Sequence, residues 1–258
     1  MRNHRILISV IIITNGSSKY LLPLVKSLVN NNKRSEFEII LVSNKIIQVE
    51  KCKIIFSKTF KGYSHACNLG AKYACGNYLL FLNDDMLSGL NALDIIFKYI
   101  ERTEPSNILF APRLINSDGT HQDSIFLSFI SSLSVFLTKR TKLTQALNIF
   151  LRIFNLKIST WGLTYRRIKT NCEGKHVMGA AMCLSKELFE RVGGFDENIF
   201  LTLEDQLLCR NVINSGGKVM YIHKSVFIHY GNATIRNITD FDEIFNNSLK
   251  YFIKQNTF

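Results

Sequence analysis

Apolar runs alternate with helix-periodic segments through the first half of the chain, and this alternation most limits the possible fold. Residues 6–14, 37–42 and 78–82 are almost entirely apolar, as strands covered on both faces are. Residues 17–29 and 63–75 instead place apolar or small side chains at helical spacing. Strands that alternate with helices pair in parallel, so we predict an α/β fold with a Rossmann-type, doubly wound, mostly parallel sheet.

Acidic residues follow the run at 78–82 directly. Asn83, Asp84 and Asp85 would stand at the carboxyl end of a strand, where open α/β sheets bind their ligands. Neighbouring carboxylates repel each other unless a cation lies between them, and Mg²⁺ prefers oxygen ligands and often bridges to phosphate. The stretch therefore favours a metal–phosphate site, although Asn and Asp are also common in solvated turns.

A second acidic pair, Glu204 and Asp205, lies at the start of a helix predicted over 203–214. The helix dipole stabilises carboxylates at a helix N-terminus, so both acids are consistent with capping. The alternative is that one of them serves as a general base, since a carboxylate within reach of a substrate hydroxyl accepts its proton. Residues 193–200 would form the loop that brings this helix start over the edge of the sheet.

Positive charge is concentrated in one segment of the chain, whose formal net charge is +12. Between Ser124 and Cys172 there is no Asp or Glu, which predicts an anionic partner: a membrane surface, a nucleic acid or a phosphorylated substrate. The eight cations of this segment are Lys139, Arg140, Lys142, Arg152, Lys157, Arg166, Arg167 and Lys169. Apolar side chains recur at helical spacing over 143–154, which suits either an interfacial helix on anionic lipid or an amphipathic helix packed on the domain.

Cysteine usage and the N-terminus both favour a reduced, cytosolic compartment. None of the six cysteines forms a Cys-x-x-Cys pair or a cluster with zinc spacing. The apolar run after the basic residues 1–5 is short and lacks a small-residue cleavage site, so it is typical of a first strand and not of a signal peptide. A length of 258 residues is sufficient for one compact domain with an insertion.

Four segments resemble the inverting family 2 glycosyltransferases of the GT-A fold, of the rhamnosyltransferase-like type that builds bacterial surface polysaccharides. They are, in chain order, SVIIITNGS, KGYSHACNLGAKYACGNYLLFLNDDM, VMGAAMCLSKELFERVGGFDENIFLTLEDQLLCR and VFIHYGNAT. Their order and spacing are more specific than any single motif. The resemblance implies an enzyme that moves a hexosyl or deoxyhexosyl group from a nucleoside-diphosphate sugar to a glycan or lipid-linked glycan, with Mg²⁺ or Mn²⁺.

The resemblance also implies roles for individual residues. Asp85 matches the last acid of the family's metal-binding motif, and His229 stands where some members have a further ligand, although a lone histidine at a strand end is often structural. Asp205 matches the catalytic base, with Glu204 as the second choice. The positions implied on the nucleotide-sugar side are Asn15, Ser43, Gly62, Asn68, Asn83 and Asp84.

Two departures from the family pattern leave alternatives open. Ser43 follows the second strand, where the family usually has an Asp that contacts the nucleobase, and Leu207 replaces a frequent acid after the Glu-Asp pair. A non-catalytic, nucleotide-sugar-binding member is therefore one alternative. A nucleotidyltransferase on a similar α/β fold is another, but residues 15–19 are a thin match to the Gly-rich, cationic triphosphate loop that it needs. A nucleic-acid-binding module is disfavoured, because no recognised nucleic-acid motif accompanies the cations.

The predicted organisation has three parts. A nucleotide-sugar-binding half covers 1–120, a basic, helical and amphipathic insertion covers 121–172, and the acceptor-side, catalytic half covers 173–258. In this last part we predict strands at 177–184, 218–222 and 226–229. The predicted partners are the sugar donor, the acceptor and an anionic membrane surface, without nucleic acid, and the predicted location is cytoplasmic and peripheral on the inner face of the plasma membrane.

Overall fold

The computed structural model describes residues 7–59, 61–103, 105–130, 141–159, 161–165, 168–231 and 240–255. Its strands are β1 (Ile8–Thr14), β2 (Phe37–Ser43), β3 (Lys53–Phe56), β4 (Tyr78–Asn83), β5 (Met86–Ser88), β6 (Ile108–Ile115), β7 (Ile125–Phe126), β8 (Leu156–Ser159), β9 (Gly162–Tyr165), β10 (Cys172–Gly174), β11 (His176–Val177), β12 (Ala181–Ser185) and β13 (Lys218–His229). Its helices are α1 (Leu21–Asn30), α2 (Tyr63–Lys72), α3 (Ala92–Thr103), α4 (Thr141–Leu151), a 3₁₀ turn (Arg152–Phe154), α5 (Lys186–Arg191), α6 (Glu204–Asn214) and α7 (Phe241–Lys254). The cations Lys139, Arg140, Arg166 and Arg167 lie outside the described residues.

Strands from both halves of the chain build one nine-stranded sheet in the order β10-β13-β6-β12-β4-β1-β2-β3, with β5 paired to β13. Strands β1 to β4 run parallel, and β6 runs parallel to β13, which confirms the predicted α/β fold with a mostly parallel sheet. Strand β12 is antiparallel to both of its neighbours, β4 and β6. This antiparallel strand therefore joins the two parallel groups.

Helices cover both faces of this sheet. On one face, Leu24 of α1 and Phe97 of α3 are buried in the same cluster as Leu80 of β4. On the other face, Leu208 of α6 belongs to a second buried cluster with Phe81 of β4. Because Leu80 and Phe81 are consecutive, alternate side chains of one central strand fill the two layers of the core.

Glycines let α2 lie close to its neighbours. A Cβ added at Gly70 would lie 2.4 Å from Cγ2 of Ile11, so a larger side chain does not fit between α2 and β1. Gly62 precedes the helix with φ +106°, which L-residues rarely adopt, and its added Cβ would lie 2.6 Å from the carbonyl oxygen of Phe200. The start of α2 therefore touches the loop that leads into α6.

A second, four-stranded antiparallel sheet has the order β11-β7-β9-β8. Strands β7, β8 and β9 come from the segment predicted as a helical insertion, so this segment contributes strands as well as the helix α4. Each of these strands has only two to four residues, which is too short for periodicity to indicate it.

Three strand predictions were wrong in their boundaries. The apolar stretch 177–184 forms parts of two strands, because the backbone N–H of Gly179 bonds to the Asp205 carboxylate and leaves the ladder. Conversely, 218–222 and 226–229 belong to the single strand β13. The polar residues 223–225 between them stay in the strand, because the pairing with β6 shifts its register between Ile222 and Val226.

Candidate active site

A cavity of ≈ 690 Å³ lies where β1 and β4 end and α6 begins. Open α/β sheets bind ligands at this edge, beyond the carboxyl ends of their strands. The cavity brings together seven of the residues singled out from the sequence: Asn15, Asn83, Asp84, Asp85, Glu204, Asp205 and His229. Residues far apart in the chain thus line one volume.

Asp85 and His229 form a buried pair at one side of the cavity. The His229 Nε2 atom lies 3.3 Å from the Asp85 Oδ1 atom. His229 Nδ1 lies 2.9 Å from Gln122 Oε1, and an amide oxygen only accepts, so Nδ1 carries the proton of this bond. In the neutral ring the lone pair of Nε2 then points at the carboxylate, and this nitrogen and oxygen are ligands that a divalent cation takes.

Asp84 ties the end of β4 to the end of β1. Its Oδ2 atom accepts a hydrogen bond from Thr14 Oγ1 at 2.6 Å, and its carbonyl oxygen accepts one from Ser18 Oγ at 3.1 Å. Burial raises the pKa of the Asp84 carboxyl to about 6, while the bond from Thr14 opposes that rise. The middle acid of the Asn-Asp-Asp stretch thus holds two strand ends together.

Asn83 is positioned from two sides. Its Oδ1 atom accepts a hydrogen bond from the Tyr63 hydroxyl at 3.1 Å, and its backbone N–H donates to the carbonyl oxygen of Ala180 at 3.0 Å. Burial raises the pKa of Tyr63 well above its ordinary value, so its hydroxyl stays a donor at neutral pH. The second of these bonds connects β4 to the segment that precedes β12.

Asp205 is held by backbone donors. Its Oδ2 atom accepts from Gly179 N at 2.8 Å, and its Oδ1 atom accepts from Gln206 N at 2.7 Å. A Cβ added at Gly179 would lie 3.0 Å from the Cβ of Asp205, so the close approach depends on a glycine at this position. Glu204 is more buried, and its Oε2 atom has no hydrogen-bond partner among the described residues.

The two acids of this pair differ in their proton affinity. Burial raises the pKa of both carboxyls, and the neighbouring Asp205 charge raises that of Glu204 further. Hydrogen bonds from the backbone to Asp205 oppose the rise for Asp205. A proton shared by the pair therefore resides on Glu204, which leaves Asp205 ionised and able to accept another.

The backbone before α6 is strained. Thr202 has φ 67° and Leu203 has φ 71°, a region that non-glycine residues seldom adopt and that is least favourable for a β-branched side chain. Such conformations cost on the order of 1–3 kcal/mol each and persist where the surroundings enforce them. The strain lies directly before the two acids that begin α6.

Three residues implied on the nucleotide-sugar side do not line this cavity. Ser43 Oγ accepts from Lys45 N at 3.1 Å and lines a smaller cleft beside Asn44. Gly62 provides the close approach of α2 to Phe200 described above. Asn68 bonds to both the N–H and the carbonyl of Phe195, so it orders the loop that leads towards α6.

Several cavity residues were missed by sequence reasoning. Gly179 lies in a run of small residues, which was the one local signal available for it. Tyr63, Gln122, Trp161 and His176 also line the cavity, but nothing in their local sequence distinguishes them from core or surface positions. Their placement depends on pairings between distant segments.

Solved structures with the same fold are glycosyltransferases. The chain superposes on GalNAc-T7 crystallised with UDP, GalNAc and Mn²⁺ with a TM-score of 0.63 and 16% identity, over 88% of this chain and 44% of that one. It superposes on S. aureus TarS 1-349 in complex with UDP with a TM-score of 0.56 and 16% identity, over 86% of this chain and 60% of that one. The chain thus spans about half the length of these structures, and its fold is that of a GT-A glycosyltransferase.

Sequence comparison identifies the family to which the chain belongs. The glycosyl transferase family 2 model matches residues 9–162, and the chain belongs to this family. It is 24% identical over 245 residues to the rhamnosyltransferase WbbL of Escherichia coli K12, covering 90% of this chain and 86% of that protein. It is 26% identical over 242 residues to the O-antigen biosynthesis protein RfbC of Myxococcus xanthus, covering 89% of this chain and 18% of that protein. The predicted family and enzyme class are confirmed: the protein is a glycosyltransferase.

Proposed function

We propose that the protein is an inverting, metal-assisted glycosyltransferase that moves a sugar from a nucleoside-diphosphate sugar to a hydroxyl of a glycan or lipid-linked glycan. The observation that carries this proposal is that the Asp85–His229 pair and Asp205 line one cavity at the carboxyl edge of the sheet. The similarity to WbbL and RfbC supports a role in cell-surface polysaccharide synthesis, with a deoxyhexose such as rhamnose as one candidate donor sugar.

The charge of the cavity supports the use of a divalent cation. Of its described lining residues none is Lys or Arg, and five are acids: Asp84, Asp85, Glu204, Asp205 and Asp240. A donor diphosphate entering this volume needs a positive charge, and Asp85 and His229 would hold Mg²⁺ or Mn²⁺. The described residues form no cluster of three or more metal-ligating side chains, so donor phosphate oxygens or water would complete the coordination. When bound, the ion stabilises the charge on the departing diphosphate.

Asp205 is suited to act as the general base. Backbone donors from Gly179 and Gln206 fix both of its oxygens, and each oxygen keeps a further lone pair. It would take the proton of an acceptor hydroxyl as that oxygen attacks the anomeric carbon. Attack from the face opposite the diphosphate inverts the configuration of this carbon. The protonated Glu204 beside it keeps the pair from carrying two negative charges.

The test is sugar transfer by Asp205→Asn. Loss of a general base lowers the rate by about 10²–10⁴-fold, and the amide retains the shape of the side chain, so binding of the nucleotide sugar with Mn²⁺ should persist. Glu187→Gln, an exposed carboxylate on α5, is the matched control and should transfer sugar at the wild-type rate. Undiminished transfer by Asp205→Asn would remove its assigned role. Tight donor binding without turnover in the wild-type protein would instead favour a non-catalytic family member.

An apolar surface formed by α4 and the following 3₁₀ turn supports membrane contact. The side chains of Ile149, Phe150, Ile153 and Phe154, here called the apolar rim, are 73%, 60%, 78% and 59% exposed. Arg152 is exposed among them, and the surrounding segment from Ser124 to Cys172 carries no acid. The helix is therefore not packed on the domain through these side chains. We infer that the rim inserts into the headgroup region of an anionic lipid surface. None of the described helices has the length and apolar character that crossing a membrane requires.

Vesicle sedimentation tests this surface. A double Ile153→Glu/Phe154→Glu variant should lose binding to vesicles that contain phosphatidylglycerol, because it removes apolar contacts and adds negative charge. Ile46→Glu/Leu90→Glu alters two apolar residues elsewhere that are 91% and 77% exposed, and this variant should bind as wild type does. Equal binding by both double variants, or no wild-type binding at low salt, would contradict the membrane proposal without affecting the proposed reaction.

A further inference from the structure

His176 is enclosed by aromatic rings at the edge of the cavity. It lies in β11 directly opposite Phe126 of β7, and the two rings stack with centroids 4.4 Å apart and an interplanar angle of 4°. Phe129 lies nearly parallel to the same imidazole, with centroids 5.7 Å apart. The side chain is 1% exposed. Because Phe126 and Phe129 stack on the imidazole, the ring edge that carries its two nitrogens is left for other contacts.

The two nitrogens of this ring make no well-formed hydrogen bond. Both are buried, and neither meets hydrogen-bond geometry with a described residue, although the Ser128 backbone lies close enough to the ring to favour its protonated form. Burial lowers the pKa of the imidazole to about 3, so at neutral pH the ring is uncharged, with one N–H donor and one acceptor lone pair. A buried polar atom without a partner costs about 1–3 kcal/mol, and such an atom in a folded protein points to a water or a ligand.

The ring belongs to the same cavity as the candidate base. His176 lines it together with Phe126 and Trp161, and three residues further along the chain Gly179 donates its N–H to Asp205. Trp161 makes an edge-on contact with Phe245, and the two ring centroids are 6.0 Å apart. The lining of the cavity therefore includes three aromatic residues that are uncharged at neutral pH.

We propose that His176 hydrogen-bonds a hydroxyl group of the acceptor sugar, within an uncharged subsite formed by Phe126, Trp161 and His176. This inference rests on the proposed function and adds a specificity-determining residue to it. The apolar face of a pyranose ring lies against an aromatic side chain, and its hydroxyls need partners at the ring edge. The subsite would place one such hydroxyl on His176 while another faces Asp205.

The uncharged subsite of Phe126, Trp161 and His176 favours a sugar hydroxyl over a phosphate group. A hydroxyl both donates and accepts, so it satisfies either nitrogen of a neutral imidazole, whereas a phosphate at neutral pH requires donors. The described lining contains no Lys or Arg, and the ionised Asp205 would repel an anion at this end. If the acceptor is lipid-linked, its phosphates therefore lie outside this subsite and its terminal sugar lies within it.

Trp161 provides a direct measurement, because it is the single tryptophan of the chain. A panel of octyl glycosides, of glucose, galactose, N-acetylglucosamine and rhamnose in both anomeric forms, is titrated into the protein while its fluorescence is recorded. A saturable change with at least one glycoside is expected, without metal or donor. The absence of a saturable change with the whole panel would overturn the proposal.

The decisive variant is His176→Phe, which keeps the stack with Phe126 and Phe129 and removes both nitrogens. It should raise the dissociation constant of the bound glycoside about tenfold, as expected for losing one hydrogen bond in a buried site. His176→Gln, which keeps a donor and an acceptor, should recover part of the affinity. His223→Phe, the same substitution at a position outside the cavity lining, is the matched control and should change the affinity about twofold or less. Unchanged affinity in a folded His176→Phe protein would overturn the proposal.

Monodeoxy forms of the same glycoside identify the hydroxyl. One of them should bind the wild-type protein about tenfold more weakly and bind His176→Phe as well as the parent glycoside does. Equal losses in both proteins for each deoxy position would contradict a contact with His176. Because these readouts need no catalysis, failed sugar transfer with retained glycoside binding would refute the proposed reaction alone, and the reverse result would refute the subsite alone.

Discussion

Where β1 and β4 end, polar side chains of the cavity bond to one another. Thr14 donates to the Asp84 carboxylate at 2.6 Å, and Tyr63 donates to Asn83 at 3.1 Å. Around the start of α6 and β11 the situation differs: buried polar atoms of Thr202, Glu204 and His176 have no hydrogen-bond partner among the described residues. The first end, the proposed donor end, is mostly satisfied by the protein, with Asn44 Oδ1 as an unpaired exception. The second, the proposed acceptor end, is satisfied at Asp205 but not at these three residues.

This difference separates two ways of binding a substrate. Where side chains are already hydrogen-bonded to one another, they are held in place before the donor binds. They therefore lose little conformational entropy when it binds. Unpaired buried groups destabilise the free protein by about 1–3 kcal/mol each, and a substrate that supplies their partners removes this penalty on binding. We therefore expect substitutions at the donor end to change stability and metal-dependent affinity, and substitutions at the acceptor end to change turnover and selectivity.

The largest effect is expected from Asp85→Asn. It removes the carboxylate of the Asp85–His229 pair, so a divalent cation loses its one charged ligand there and the affinity for UDP in the presence of Mn²⁺ should fall about 100-fold or more. Isothermal titration with and without Mn²⁺ measures this loss. Wild-type affinity in the variant would place the metal, or the nucleotide, elsewhere.

Gly179→Ala tests the acceptor end, with an expected loss of about 100-fold in turnover. The new methyl group would lie 3.0 Å from the Cβ of Asp205 and 3.1 Å from its Oδ2 atom, and so displaces the base. Donor affinity, measured by titration, should stay at the wild-type value because the Asp85–His229 pair is untouched. If affinity and turnover fell together, the two ends would not be separable.

The pH dependence of turnover should identify which acid is the base. Burial raises the pKa of Asp205 above its ordinary value of 3.8, so this carboxyl takes up its proton at a higher pH than an exposed Asp does. Turnover should fall about tenfold per pH unit below that raised pKa, which belongs to the coupled pair with Glu204. Glu204→Gln should retain this acid limb. A rate that stays constant down to pH 4 would contradict a base of raised pKa.

Thr14→Val gives the smallest expected effect, about 1–2 kcal/mol in the free energy of unfolding. It leaves the buried Asp84 carboxyl without its hydroxyl donor while keeping the side-chain volume. Urea unfolding measures the change, and Thr103→Val is the matched control, because Thr103 donates only to an exposed carbonyl within α3. Equal changes in both variants would mean that the bond to Asp84 adds no stability.

The donor end was largely predictable because the residues that define it are neighbours in the sequence. An apolar run and the acids that follow it determine where β4 ends, and Asp85 then stands at a sheet edge by the rule for parallel strands. The acceptor end was not, because its strands have two to four residues and pair with distant segments. No property of the sequence around His176 or Trp161 indicates that they line one cavity. The roles of Ser43, Gly62 and Asn68 on the nucleotide side stay predictions.

The antiparallel insertion of β12 beside β4 has a consequence for how the protein acquires activity. The bond from Asn83 N to Ala180 O, followed by that from Gly179 N to Asp205, makes one continuous hydrogen-bonded path between the metal edge and the base. Its two ends come from segments far apart in the chain, so the entropy of closing the intervening loop opposes this pairing. A nascent chain therefore has Asp85 long before it has Asp205 or His229. Binding of a nucleotide sugar and its transfer would both appear only after the C-terminal strands have joined β4.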